Sequence, residues 1–290
     1  MTSRLIFVPS LQKYVRFREI TNKHLLALVR SQNSIADSVC VQWDIIEDRI
    51  IDNDIEVGDL TIIDAFFIFL TWRVSCIGNV LETGGGMDDY IELTDWLIEL
   101  SPLLSKNFKE VFNLNCLGNQ ITLDIPTLRD DMETQKYFLI GGSSNENKIK
   151  QNSHRHTICM IQELDGVKFS DYEQKKRFYE YITIEDNQKI MDYSKNMHKV
   201  LSKIALDLKI EKNVEFTIDY ISSLIRFIFS GSVDNILHEA LVMSKKCNIG
   251  YKDFLDMIPI EGKILIDFID KSDKGQQEPT EDLTEEYFNQ

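Results

Sequence analysis

The most apolar stretch of the chain is Val57 to Asn79, VGDLTIIDAFFIFLTWRVSCIGN. At its centre AFFIFLTW runs for eight residues without a charge. A helix that is apolar on nearly every side is either buried in a core or spans a membrane. A span needs about 20 apolar residues, and Asp64 and Arg73 interrupt this stretch too early. The pattern therefore predicts a central core helix carrying Phe66, Phe67, Phe69, Leu70, Trp72 and Arg73. Asp59 is placed to cap its start, accepting the free N–H groups of the first turn. Asp64 near the start and Arg73 near the end suit the helix dipole, and Gly78-Asn79 supplies a stop.

Before this helix, residues 4–20, RLIFVPSLQKYVRFREI, read as a β-hairpin, with LIFV as a short apolar strand and Pro9-Ser10 as the turn. Basic residues alternate with Tyr14, Val15 and Phe17, the sign of a strand with one wet face. Thr21 or Asn22 can cap a helix running to about Arg30. Ile35, Val39, Trp43, Ile46 and Ile50 then recur at three and four residues, an amphipathic helix with Asp37, Asp44, Glu47 and Asp48 on its polar side. TGGGMDD reads as a flexible joint, and residues 90–106 as a helix with Trp96, Leu97, Leu100 and Leu103 inside.

From about residue 107 the character changes. FKEVFNLN and NQITLDIPTL are β-prone around a CLG turn, and HTICMIQEL with DGVKFS reads as a further strand or hairpin. Residues 141–153, GGSSNENKIKQNS, read as a mobile loop. The class of Asp171–Tyr181 stays open. A helical period returns from Thr183, and residues 272–290 read as a polar, acidic tail. The expected fold is α+β and mostly helical. Residues 1–106 form a hairpin on a helical core, 107–182 a β-rich middle section, 183–271 a helical domain, and 272–290 the tail.

Charge narrows the function. The 47 acidic against 32 basic residues give a net charge of −15, which repels phosphate backbones and argues against nucleic acid. Anionic lipid is disfavoured on the same ground, so no membrane partner is expected. The five cysteines are odd in number, widely spaced and without a C-x-x-C pair, so reduced thiols in a cytoplasm are expected rather than a disulfide frame. The opening MTSRLIFVPS lacks the apolar run of a signal peptide.

Candidate chemistry is sparse. His154, His156 and Cys159 form H-x-H-x-x-C, but zinc needs a fourth ligand or an open position on three. Two loop histidines and a strand cysteine explain the spacing as well. Gly84-Gly85-Gly86 has no following Lys-Ser/Thr and fits no phosphate loop. No G-x-S-x-G or H-E-x-x-H occurs. No catalytic residue, cofactor or metal is assigned, and the chain is read as a non-enzyme. Tyr14, Arg16, Phe17 and Arg18 form a candidate interface, since Arg and Tyr are favoured at binding hot spots. A cell-wall hydrolase, a metal-binding protein and an acidic binding module are the competing readings.

The order of the N-terminal segments resembles a known family. VPSLQKYVRFREI, TNKHLLALVRS, CVQWDIIEDRIID and LTIIDAFFIFLTWRVSCIGN follow one another as in baseplate hub subunits of T-even-type contractile-tailed bacteriophages. The family's helix pattern has counterparts in Asp64, Phe67, Phe69, Leu70, Arg73, Ser75 and Gly78, and Asn119–Leu128 resembles the β-rich part that follows. Relatives often carry a Cys-x-x-Cys knuckle there. Only Cys116 stands in that region, so a zinc knuckle is not carried over. The resemblance implies a structural subunit of the hub or a chaperone-like factor for its assembly. Its partners would be other baseplate hub or tail proteins, first in the host cytoplasm and then in the virion. It implies no catalytic residue and no oligomeric state.

Overall fold

The computed structural model describes residues 3–82, 90–94, 97–98, 112–140, 157–194 and 225–273. The fold is α+β and mostly helical, and it opens with the hairpin. Strand β1 (Ser3–Val8) pairs antiparallel with β2 (Lys13–Arg18), in a register that sets Leu5 opposite Arg16 and Phe7 opposite Tyr14. Period-two geometry sends Ile6, Val8, Val15 and Phe17 inward, each at most 1% exposed. The turn spans residues 9–12, where Gln12 adopts φ 50° and its N–H donates to Pro9 O at 3.3 Å.

Helices α1 (Asn22–Arg30) and α2 (Ile35–Arg49) follow, capped by Thr21 and Ser34. The core helix is α3, Ile62–Cys76, and 12 of its 15 residues are buried. All six residues named for it from the sequence are among them. Its start differs from the expected one. Asp59 lies in a 3-10 turn, Val57–Asp59, and the cap is Thr61. The Thr61 hydroxyl accepts the Asp64 N–H at 3.2 Å, and the Asp64 carboxylate accepts the Thr61 N–H at 2.7 Å. This reciprocal capping satisfies two of the helix's unpaired donors. The stop lies two residues earlier than Asn79, with Gly78 at φ +134° just beyond the helix.

After α3, β3 (Val80–Glu82) pairs with β4 (Tyr90–Glu92). The helix expected over 90–106 therefore begins as a strand, because Tyr90–Glu92 finds a partner strand just beyond α3. The glycine joint, most of the expected helix, the 141–153 loop and the acidic tail lie outside the described residues.

The middle of the chain builds a four-stranded antiparallel sheet in the order β5 (Phe112–Cys116), β6 (Asn119–Leu123), β7 (Ile161–Leu164), β8 (Val167–Lys168). Leu117-Gly118 and Asp165-Gly166 both take positive φ at two successive residues, the geometry that tight hairpins require. Between β6 and β7 lies α4 (Leu128–Ile140), which the sequence reading passed over. The segment left open is helix α5 (Tyr172–Tyr181), capped by Asp171. Residues 184–194 are also helical, and Ile190 packs with Leu114, Cys116, Ile121, Leu123 and Ile161 under the sheet.

The starts of α3 and α4 lock together. Ile62 N–H donates to Pro126 O at 3.1 Å and Leu128 N–H donates to Leu60 O at 2.7 Å. Both helices open with T-x-x-D, Thr61–Asp64 and Thr127–Asp130. Asp130 also holds the Lys175 ammonium at 2.6 Å, a pair at most 8% exposed on either side. The C-terminal helices α6 (Val233–Cys247), α7 (Tyr251–Asp256) and α8 (Pro259–Asp273) form a second apolar cluster with Leu26 and Val29 of α1.

Candidate docking surface

The face of the hairpin turned away from α3 carries the residues singled out from the sequence, with one correction. Tyr14 is 66% exposed and stacks at a tilt on Phe7, ring centroids 5.4 Å apart. Arg16 and Arg18 are exposed beside it. Phe17 is not part of this face. It is fully buried, edge-on to Trp72 with centroids 5.7 Å apart. Strand alternation puts Phe17 with Val15 on the inner side, so Tyr14 shares the wet side with the two arginines. Leu5, 61% exposed and opposite Arg16, and Leu11 at the turn belong to the same surface and were not named beforehand.

Charges frame this surface. Arg16 is held by Asp52, whose carboxylate accepts both the Arg16 backbone N–H and Nε at 2.8 Å. Those bonds hold the Asp52 carboxyl below the usual carboxylate range. Lys13 pairs with Asp54 at 3.0 Å and Arg4 with Glu19 at 3.2 Å. Arg18 makes no ion pair among the described residues; its carbonyl accepts the Trp72 indole N–H at 3.1 Å. The first 30 residues hold six Lys or Arg and one Glu, in a chain whose net charge is −15. Asp52, Asp54 and Glu19 neutralise three of the hairpin's four cations, so the surface is partly apolar and close to charge-balanced, with Arg18 its one cation without an ion pair among the described residues.

A cleft of about 230 Å³ opens beside it, lined by Arg18, Glu19, Thr21, Arg49, Asp256, Ile258 and Glu261. Behind it lies His24, 5% exposed. Its Nδ1 accepts the Thr21 N–H at 3.1 Å, and its Nε2 lies 3.1 Å from Asp48 Oδ2 and 3.2 Å from Arg49 Nε. Burial, and then the Arg49 charge, lower its pKa to about 4. The unfolded imidazole binds its proton near pH 6.5, so folding is fully favoured by this group above that pH and loses that contribution as pH falls towards 4. The loss amounts to about 3 kcal/mol. The melting temperature of the wild type is expected to fall between pH 7 and 5. A His24→Gln variant should show a shallower slope in the same calorimetric series.

The buried carboxylates do not form an exposed catalytic pair. Burial pushes the Asp64 carboxyl up, against the hydrogen bonds from Ser10 and Thr61. It has no exposed surface and is occupied in capping α3. Burial also raises Asp124, helped by the nearby Asp64 charge. Of the H-x-H-x-x-C residues, His154 and His156 lie outside the described residues. Cys159 is 4% exposed, with its sulfur 3.3 Å from the Thr134 hydroxyl. Among the described residues no group of three His, Cys, Asp or Glu is arranged to hold a metal. No disulfide joins the cysteines, and no helix of the described residues is long and apolar enough to cross a membrane.

A buried, largely apolar strut, a sheet on a helical frame and an exposed hairpin are the makings of a structural building block. The chain belongs to the family of T4-type bacteriophage baseplate proteins, whose model, described as T4 bacteriophage base plate protein, matches residues 1–226. No curated protein and no solved structure is significantly similar to it. The match takes in the hairpin, α1 to α5 and the four-stranded sheet, and stops before α6.

Proposed function

We propose that the chain builds the hub of the phage tail baseplate, as a hub subunit or as a factor that assembles it. It does so by protein–protein contacts and not by catalysis. The outer face of the hairpin, with Tyr14, Arg16 and Arg18, is one of its docking surfaces. Membership of the baseplate family carries the reading. The exposure of Leu5 and Tyr14 beside Arg18, which makes no ion pair among the described residues, supports the choice of surface. Aromatic and arginine side chains with apolar neighbours are the residue types that anchor interfaces. The acidic remainder would steer encounter with basic patches on other hub or tail proteins. The location that follows is the host cytoplasm during assembly and the tail baseplate in the particle.

The experiment is complementation of a phage deleted for the gene. Supplied wild-type chain should restore complete baseplates, and Tyr14→Ala with Arg18→Ala should not. Mass spectrometry of the purified tails then separates a retained hub subunit from an assembly factor that leaves. Full rescue by the double variant rejects the hairpin as the docking surface. Complete baseplates without any supplied chain reject the function.

A further inference from the structure

The hairpin has a free backbone edge as well as an exposed face. The Arg16 N–H donates to Asp52, and the Arg16 carbonyl accepts the Ile51 N–H at 2.9 Å. Both groups therefore point away from β1. Arg16 stands opposite Leu5, so this is a pair without mutual hydrogen bonds, and Leu5 must also turn its N–H and C=O away from its partner strand. By the two-residue alternation, Ser3 and Phe7 do the same. Outside the ladder with β2, none of the three has a backbone hydrogen bond to any described residue. The outer edge of β2 is covered by residues 50–52, whereas no described residue pairs with the edge of β1. Proline, inward charge and bulges are the usual means of blunting such an edge. Ser3, Leu5 and Phe7 supply none of them.

We propose that an extended segment of a partner protein, alternating apolar and acidic residues, adds as a third strand along β1. This rests on the reading of the hairpin as a docking surface and names the chemistry of what docks. Main-chain bonds to Leu5 and Phe7 hold the segment, and alternate side chains give specificity. The partner's apolar residues lie beside Leu5 and Phe7 and extend the patch towards Tyr14. A carboxylate of the segment lies on the other side, beside Arg4, whose side chain is 45% exposed and, among the described residues, paired with Glu19. Arg18, exposed and without an ion pair among the described residues, and the half-exposed Arg4 favour an acidic segment. A second copy is disfavoured, because pairing β1 with β1 sets two hairpins, each with Arg4, Lys13, Arg16 and Arg18, side by side.

The test uses the full chain and a capped peptide of alternating valine and glutamate, with a valine–lysine peptide as control. The amide protons of Leu5 and Phe7 exchange freely in the unbound protein. The acidic peptide should slow both at least about tenfold, and the basic one should not. Leu5→Pro removes the outward donor without breaking a bond inside the fold, and Leu5→Ala removes the same side chain but keeps the donor. The proline variant should keep its melting temperature and bind at least about tenfold more weakly than the alanine variant. Equal binding by the two variants, unchanged Leu5 and Phe7 exchange at millimolar peptide, or amides already protected in the unbound chain overturns the proposal. A chain that ignores the peptide yet restores complete baseplates loses this inference and keeps the proposed function.

Discussion

Arg73→Leu lowers stability by about 3–5 kcal/mol, because it removes three charge-assisted hydrogen bonds and leaves one buried carbonyl, at a cost of about 1–3 kcal/mol, and two part-buried ones without their donor. Arg73 is 8% exposed and has no carboxylate partner among the described residues. Its guanidinium donates to Ile228 O at 2.8 Å, to Val80 O at 2.9 Å and to Gly78 O. One side chain thus ties the end of α3 to the start of β3 and to residues 225–228. Burial lowers its pKa to about 10, so it stays charged at neutral pH. Leucine removes the cost of burying that charge, which offsets part of the loss. The Ile228 carbonyl remains buried, however, and three lost charge-assisted bonds outweigh the relief. The melting temperature should drop by roughly 10 °C for a chain of this size. Arg73→Lys should fall between, since an ammonium cannot span three carbonyls held by a planar fork. A leucine variant that melts within a degree or two of the wild type would show that the clamp contributes nothing.

Trp72→Ala should cost about 3–5 kcal/mol, the usual range for removing a large buried aromatic residue. Trp72 has no exposed surface and meets Phe17 and Phe69 edge-on at 5.7 and 5.3 Å. Its indole N–H also serves Arg18 O. The alanine variant leaves a cavity between the hairpin and α3 and orphans that carbonyl. Trp72→Phe keeps most of the packing and loses the donor, so about 1–2 kcal/mol is expected. Urea unfolding of the two variants checks the order. A phenylalanine variant as unstable as the alanine one would place the main contribution in the hydrogen bond and not in the packing.

Both predictions concern α3, the element most legible in the sequence. An uncharged run too short for a membrane can only be a core helix, and the burial of Phe66 to Arg73 follows from that. Its cap was harder to read. Asp59 and Thr61 are both good caps, and the choice falls to Thr61 because Asp64 stands three residues on and returns its hydrogen bond. The same T-x-x-D spacing marks α4 at Thr127–Asp130 and the helix after Thr183 at Thr183–Asp186. That signal would have found α4, whose apolar period is weak. In α1 a histidine takes the acidic position of the box, Thr21 with His24, which hides it from a search for carboxylates.

The hairpin was legible as a hairpin, and its exposed arginines as its wet side. Which aromatic residue joins them depends on register against α3. Tyr14 and Phe17 look alike in composition, but odd spacing puts them on opposite faces of β2. The free edge of β1 was not legible at all, since it follows from where Ile51 and Asp52 bond. The α5 segment was left open because its charged and aromatic residues show no clear apolar stripe. Its burial is local, centred on Tyr172 and on Lys175 paired with Asp130.

The proposed role depends on contact surfaces and not on chemistry, and one count tests it directly. Electron microscopy of tails from the deleted phage gives the fraction with complete baseplates for each supplied chain. With Tyr14→Ala and Arg18→Ala, in a protein shown by calorimetry to melt like the wild type, the fraction should fall at least about tenfold, as the loss of two interface anchors implies. A fraction equal to that of the wild type would mean that the outer face of the hairpin meets nothing in the baseplate.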